Sequence, residues 1–232
     1  MLRIATYNIH KCIGTDRKRD PSRIVDVLAE LNADVVALQE ADLRFGDRSG
    51  LLDLDDLHKR LGLVPVRVNG AGKNHGWHGN VVLVREAVVH DSHQIKLPGV
   101  EPRGALVVDM EAKSLQLRVI ATHFGLLRRS RALQVETVLQ AAQVAGERIV
   151  LLMGDLNEWR IDKRSGLSGL EPIFGSFEFF MPSYPSRYPL LALDRILCRP
   201  RQCLQNISVH STPLSRIASD HLPIVAELVV AK

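Results

Sequence analysis

Leu2, Ile4, Ala5 and Tyr7 open the chain in an apolar, β-rich run that reads as a strand. After a polar loop, Asp20-Pro21 supplies a helix N-cap and a proline at the first helical position. Ile24, Val27, Leu28 and Leu31 then recur at i, i+3, i+4 and i+7, one apolar stripe of a helix. The segment Asp34 to Leu38 is a short strand whose apolar run suits burial on both faces. A second helix is predicted from Asp53, with Leu54, Leu57 and Leu61 along one side.

From Val64 to His123 the pattern changes to successive strands without clear helices. Val81 to Val84, Ala87 to Ile95, Ala105 to Met110 and Leu115 to Thr122 are divided by Gly-, Pro- or Lys-containing turns, as in a meander. A third helix follows, with Ala132, Val135, Leu139 and Ala142 on one face. Strands recur at Arg148 to Met153, Leu191 to Cys198, Ile207 to His210 and Leu222 to Val230, and Met181 to Pro189 reads as a loop with fixed turns. There is no internal repeat. The class is α/β with much antiparallel sheet, and two stacked sheets flanked by helices would bury these strands.

Composition changes this picture little. Of 232 residues, 46% are hydrophobic and 24% charged, the balance of a soluble globular protein whose core needs no disulfides. Cys12, Cys198 and Cys203 are odd in number and lack metal-ligand spacing, so free thiols in a reducing cytoplasm are expected. The N-terminus turns polar too soon for a signal peptide, and runs such as Ile149 to Met153 fall well short of the roughly 20 residues of a membrane span. A net charge of +4 tilts the surface mildly towards anionic partners, with basic clusters at Arg17 to Arg19, Arg128 to Arg131 and Arg195 to Arg201. Solvated faces explain most such clusters.

Polar residues stand where apolar strands end in four places: Tyr7-Asn8-Ile9-His10, Leu38-Gln39-Glu40, Gly154-Asp155-Leu156-Asn157 and Ser219-Asp220-His221. Each alone reads as a turn or a helix cap; together they form a set. Glu40 is a hard carboxylate suited to Mg²⁺. Asp155 and Asn157 point the same way if strand geometry persists. Asp194, in Leu193-Asp194-Arg195-Ile196, is a charge in an apolar strand that needs a partner, and a histidine to orient is a good candidate. Other signals fail. Gly70-Ala71-Gly72-Lys73-Asn74 lacks the earlier glycine and the Ser or Thr of a phosphate loop, reading instead as a mobile hairpin loop, and His75 and His78 are not a zinc pair.

TYN at 6–8, LQE at 38–40, GDLN at 154–157, LDR at 193–195 and SDH at 219–221, in that order, resemble the endonuclease/exonuclease/phosphatase superfamily, whose members include DNase I-like nucleases. The segment Tyr184 to Leu191 and Gly154 to Trp159 are similar to its compact bacterial branch. The resemblance spans residues 6 to 221. It implies a four-layer α/β/β/α sandwich of two packed mixed sheets, formed by a single catalytic domain over residues 1–232.

By that resemblance, Glu40 binds Mg²⁺, for which Mn²⁺ would substitute, with Asn8 close to the metal and Asp220 supporting its region. Asp155 aligns and deprotonates the attacking water, and Asn157 holds Asp155 and the phosphate. His221 donates to a phosphoryl oxygen while Asp194 orients it. His123 is implied as a phosphate contact, because lipid and small-substrate branches carry histidine where abasic-site endonucleases carry tyrosine. Asn80 and Arg103 resemble positions that face the substrate. The expected activity is metal-dependent phosphodiester hydrolysis, with nucleic acid, a phospholipid headgroup at a membrane surface or a small diester all open as substrates. Phosphomonoester hydrolysis and a non-catalytic phosphate-binding module are the alternatives.

Overall fold

The computed structural model describes all residues except 44–47, 70–72, 144–145, 161, 163, 177–180 and 230–232. The hairpin loop expected at Gly70 to Gly72 and the expected strand end at Val230 thus lie outside the described residues.

Strand β1 (Leu2–Asn8) leads to helix α1 (Pro21–Leu31), whose N-cap Asp20 accepts from the Arg23 amide and whose C-cap Asn32 turns left-handed. Strand β2 (Val35–Gln39) and helix α2 (Leu54–Leu61) follow, the latter capped by Asp53 and stopped by Gly62 at φ 66°. The expected meander divides between two sheets: β3 (Val64–Pro65) and β4 (Val81–Val84) pair with each other in one, while β5 (Ala87–Leu97), β6 (Arg103–Ala112) and β7 (Leu115–His123) run antiparallel side by side in the other. Helix α3 (Arg128–Gln143) and strand β8 (Ile149–Asp155) precede the short α4 (Glu171–Phe174). Strands β9 (Asp194–Arg199) and β10 (Leu204–Val209), the short α5 (Ser215–Ala218) and β11 (Ile224–Leu228) complete the order.

Two mixed sheets result, one ordered β10-β11-β1-β2-β4-β3 and the other β5-β6-β7-β8-β9. Side-chain alternation divides their strands into two faces. Leu2, Ile4, Val35, Ala37, Val82 and Ile224 of the first sheet share one core with Val108, Leu117, Val119, Leu151, Met153 and Ile196 of the second. The opposite face of the first sheet, with Tyr7, Val36, Leu38 and Leu83, receives Ile24, Val27, Leu28, Leu31 and Leu57 from α1 and α2. The opposite face of the second, with Val107, Ile120, Val150 and Leu152, receives Val135, Val138 and Ala142 from α3. Three apolar layers therefore separate four layers of backbone, the expected α/β/β/α sandwich. Each such fully buried Leu, Ile or Val contributes about 1.5–3 kcal/mol.

Helix α3 departs from its predicted stripe. Ala132 is exposed and Leu139 only half-buried, while Arg131 and Gln134 are buried beside Val135, Val138 and Ala142. Arg131 donates to Glu158 at 2.9 Å, and Gln134 ties the Gly125 amide to the Pro98 carbonyl. Polar side chains with buried partners took places that an apolar pattern assigns to alanine and leucine. Arg131 is thus an interior ion pair and does not belong to the exposed basic cluster begun by Arg128 and Arg129.

Candidate active site

Strand parity places the chemistry. In β1 the even positions Leu2 and Ile4 face the central core, and Asn8 continues that row. In β8 Leu151 and Met153 face it, and Asp155 follows; in β9 Asp194 precedes Ile196 and Cys198. In β7 the inward row Leu117, Val119, Ala121 ends on His123. His123 pairs in register with Asp155, and Asp155 with Asp194, so three polar side chains stand abreast at one end of the second sheet.

Gly154 makes this row fit. Its φ is 150°, and a Cβ there would lie 1.8 Å from the Thr122 carbonyl oxygen, so only glycine lets β8 keep its place beside β7. Beyond it Asp155 is 2% exposed. Its Oδ2 accepts from Asn8 Nδ2 at 3.0 Å and lies 3.5 Å from His123 Nε2 and 3.8 Å from His221 Nε2. The Asn157 amide donates to Oδ1 at 2.9 Å, which holds the carboxylate plane, while Asn157 Nδ2 donates to the Phe124 carbonyl.

His221 and Asp194 form the second part. His221 Nδ1 is 2.7 Å from Asp194 Oδ2, which also accepts from Ser183 Oγ, and the Tyr184 ring lies 4.9 Å from the imidazole. Burial opposes a charged imidazole, but the carboxylates of Asp194, Asp155 and Asp220 and the Asp194 hydrogen bond outweigh it, and the pKa is pushed up to about 10. His123 shows the opposite balance. Burial, against the attraction of Asp155, takes its pKa down to about 3. At neutral pH one histidine is therefore a cation and its neighbour is neutral.

Ser219 joins the two ends of the chain, its Oγ donating to the Asn8 carbonyl at 2.7 Å and accepting from the His221 amide. Asp220 is half-exposed beside His10, with Oδ1 3.5 Å from Nδ1. Glu40 stands just beyond the Asn8–Gln39 pair at φ 54°, an unusual conformation for a non-glycine residue, and its carboxylate is ion-paired with Lys11. Arg103 reaches the cleft bound to Glu101 at 2.7 Å. Asn80 does not line the cleft; it is fully buried and donates to the carbonyls of Trp77 and Gly104.

Two sets of donors could be offered to a divalent cation. Asp155, Asp194 and His221 have ligand atoms within 4.8 Å of one another. That trio is the poorer fit, because Nδ1 and Oδ2 already satisfy each other and an imidazolium repels a cation. Glu40, Asn8 and Asp220 all border the cleft and offer carboxylate and amide oxygens, the hard donors that Mg²⁺ takes while keeping several waters. The Lys11 ammonium on Glu40 marks that carboxylate as one that holds positive charge.

Asn8, Glu40, His123, Asp155, Asp220 and His221 floor an open cleft of about 690 Å³, within the size range of ligand sites. Its walls are apolar: Leu126, Leu127, Trp159, Tyr184, Leu191 and Leu193. Ser183, Ser219, Lys11 and Glu101 were not singled out from the sequence. Ser219 lies inside a quoted motif, whereas nothing in the spacing around Ser183 or Lys11 marks them.

The fold is shared widely. An endonuclease/exonuclease/phosphatase from Beutenbergia cavernae superposes with a TM-score of 0.70 at 22% identity, covering 98% of this chain and 71% of that one. A mannosyl-6-phosphatase of Bacteroides thetaiotaomicron gives 0.72 at 15% identity over 99% and 100%. A humanized D. rerio TDP2 gives 0.71 at 20% identity over 99% of both chains. No curated protein matches the sequence. The sequence pattern of one family nonetheless matches residues 5–221, from within β1 through His221, and so takes in every strand end that converges on the cleft. The chain belongs to the Endonuclease/Exonuclease/phosphatase family.

Proposed function

We propose that the protein is a Mg²⁺-dependent phosphodiesterase in which water activated by Asp155 attacks the phosphorus of an ester lying in the cleft. The observation that carries the reading is the division of charge around Asp155. A carboxylate fixed by Asn8 and the Asn157 amide faces an imidazolium that Asp194 holds, with neutral His123 beside the carboxylate at 3.5 Å. A base and a preorganised cationic donor thus stand on one cleft floor.

In this reading Asp155 accepts the proton of the attacking water as its oxygen bonds to phosphorus; the ester P–O bond opposite breaks, and the departing alkoxide leaves as the alcohol with a proton from the solvent in the open cleft. His221 donates from Nε2 to a phosphoryl oxygen as negative charge grows there, and Asp194 keeps the ring in the orientation that leaves Nε2 free for that bond. His123 and Asn157 would contact the phosphate, with Arg103 at the margin; Asn80, buried against the carbonyls of Trp77 and Gly104, would act only by supporting the backbone next to Arg103. Glu40, with Asn8 and Asp220, would hold the divalent cation, which when bound would supply Lewis-acid polarisation of a phosphoryl oxygen.

The apolar walls favour a diester, since Leu126, Trp159, Tyr184 and Leu193 give an organic group on each side of the phosphorus a surface to pack on. The test is a substrate panel with Mg²⁺ or Mn²⁺: bis-p-nitrophenyl phosphate against p-nitrophenyl phosphate, then plasmid DNA, RNA and phospholipids. Diester turnover abolished by Asp155→Ala is the expected result. Preference for the monoester would move the assignment to a phosphatase, and absence of all turnover would leave a binding module.

A further inference from the structure

We propose that the rim of the cleft docks on the surface of an anionic phospholipid bilayer. Among the described residues, six of the twelve exposed large apolar side chains stand on the loops around this cleft. Val100 is 81% exposed between β5 and β6, Leu126 and Leu127 are 66% and 53% exposed between β7 and α3, and Trp159 is 45% exposed after β8. Tyr188 and Leu190, 78% and 68% exposed, sit on the loop whose Tyr184 and Leu191 line the cleft. Single exposed apolar residues need no account, but six on four loops around one opening do.

Charge identifies the occupant. Leu126-Leu127 continues into Arg128-Arg129, Trp159 into Arg160, and Arg187 precedes Tyr188, and all four arginines are exposed. The Arg160 guanidinium lies 5.3 Å from the Trp159 ring centroid, so cation and aromatic form one unit. Glu101 on the same rim is already held by Arg103. Apolar tips that can enter the acyl boundary, flanked by cations at headgroup level, suit an anionic membrane surface. A second copy of this chain would set arginine against arginine. A nucleic acid would use the arginines and the two aromatics, but Val100, Leu126, Leu127 and Leu190 offer a phosphate backbone nothing.

No described helix is long and apolar enough to cross a membrane, so attachment would be peripheral. Docking would turn the cleft mouth towards the headgroups, making a phospholipid phosphodiester the ester presented to Asp155; that last step alone rests on the hydrolytic reading.

The test is co-sedimentation of the full chain with phosphatidylcholine vesicles and with vesicles containing about 30% phosphatidylglycerol, at low and high salt. Binding to the anionic vesicles, weakened by salt, is expected. Each arginine removed should weaken it by about fivefold, so the pair Arg129→Ser and Arg187→Ser should cost more than tenfold. The pair Tyr188→Ser and Leu190→Ser, which lies outside the cleft, should abolish sedimentation while leaving turnover of a soluble diester and the melting temperature unchanged. No preference for anionic vesicles, or binding indifferent to Tyr188 and Leu190, would overturn the proposal. Competition by plasmid DNA with no dependence on the apolar pair would assign the rim to nucleic acid instead. Vesicle binding is read without turnover, so failure of docking and failure of the hydrolytic reading remain separate results.

Discussion

Asparagine in place of Asp194 removes one negative charge behind His221 while keeping an oxygen that can accept from Nδ1. His221 is buried, and its pKa rises from 6.5 to about 10 because Asp194, then Asp155 and Asp220, outweigh that burial. At about 1.4 kcal/mol for each pH unit, the rise favours the imidazolium by on the order of 5 kcal/mol. Asp194 is the largest favourable contributor, and removing one adjacent opposite charge moves a pKa by about 1–3 pH units. The variant His221 should therefore titrate near about 8. The donor must be protonated to act, so the alkaline limb of kcat/KM should move from about 10 to about 8. Activity of the variant at pH 9 should be about a tenth of its own value at pH 7, while the unaltered protein changes little.

Stability carries the same sign. The folded pKa of His221 lies above its unfolded value, so its contribution is complete below about 6.5 and is lost as pH rises through about 10. The deficit of Asp194→Asn should be greatest at neutral and acid pH and should close towards pH 10. An NMR titration of His221 beside the pH–rate profile checks both statements, and His221→Ala should be strongly non-additive with Asp194→Asn. An alkaline limb that stays in place would refute the reasoning, because the pair would then not act through charge.

Glu40→Ala should raise the Mg²⁺ concentration needed for half-maximal rate by roughly tenfold or more, with little change in melting temperature, since the side chain is 24% exposed. Unchanged activity at limiting Mg²⁺ would remove Glu40 from the cation site. Gly154→Ala should destabilise by about 3 kcal/mol or more, because its Cβ would meet the Thr122 carbonyl and φ 150° is strained for alanine; urea unfolding reads this directly. Arg131→Leu should cost about 3–5 kcal/mol by leaving fully buried Glu158 with a charge and without its guanidinium, and adding Glu158→Leu should restore part of that loss.

Much of the framework was legible because it rests on local rules. Asp20-Pro21 and the Ile24–Leu31 stripe specify α1 without tertiary knowledge, and the runs before Asn8 and Asp155 specify strands whose last residues fall at one sheet end. The meeting of these residues was not legible from periodicity. It depends on register, such as the row His123, Asp155 and Asp194, and on which face each row presents. Residues that act through partners were the hardest. Ser183 has no distinguishing neighbours in sequence, yet its hydroxyl binds the carboxylate that orients His221. Arg131 and Gln134 look like solvent-facing helix residues until Glu158 and the Gly125 amide are placed beside them. Asn80 was expected at the substrate, and its burial beneath Gly104 follows from backbone pairing with Trp77 that the sequence does not announce.

The central claim is tested most directly by the initial rate of bis-p-nitrophenyl phosphate hydrolysis with Mg²⁺, for the protein and for Asp155→Asn. The asparagine keeps the shape of a side chain that touches Asn8 and Asn157 but cannot take a proton. The account predicts metal-dependent turnover that falls about 10²–10⁴-fold in the variant while its melting temperature stays within a few degrees. Equal rates in the two proteins would contradict it.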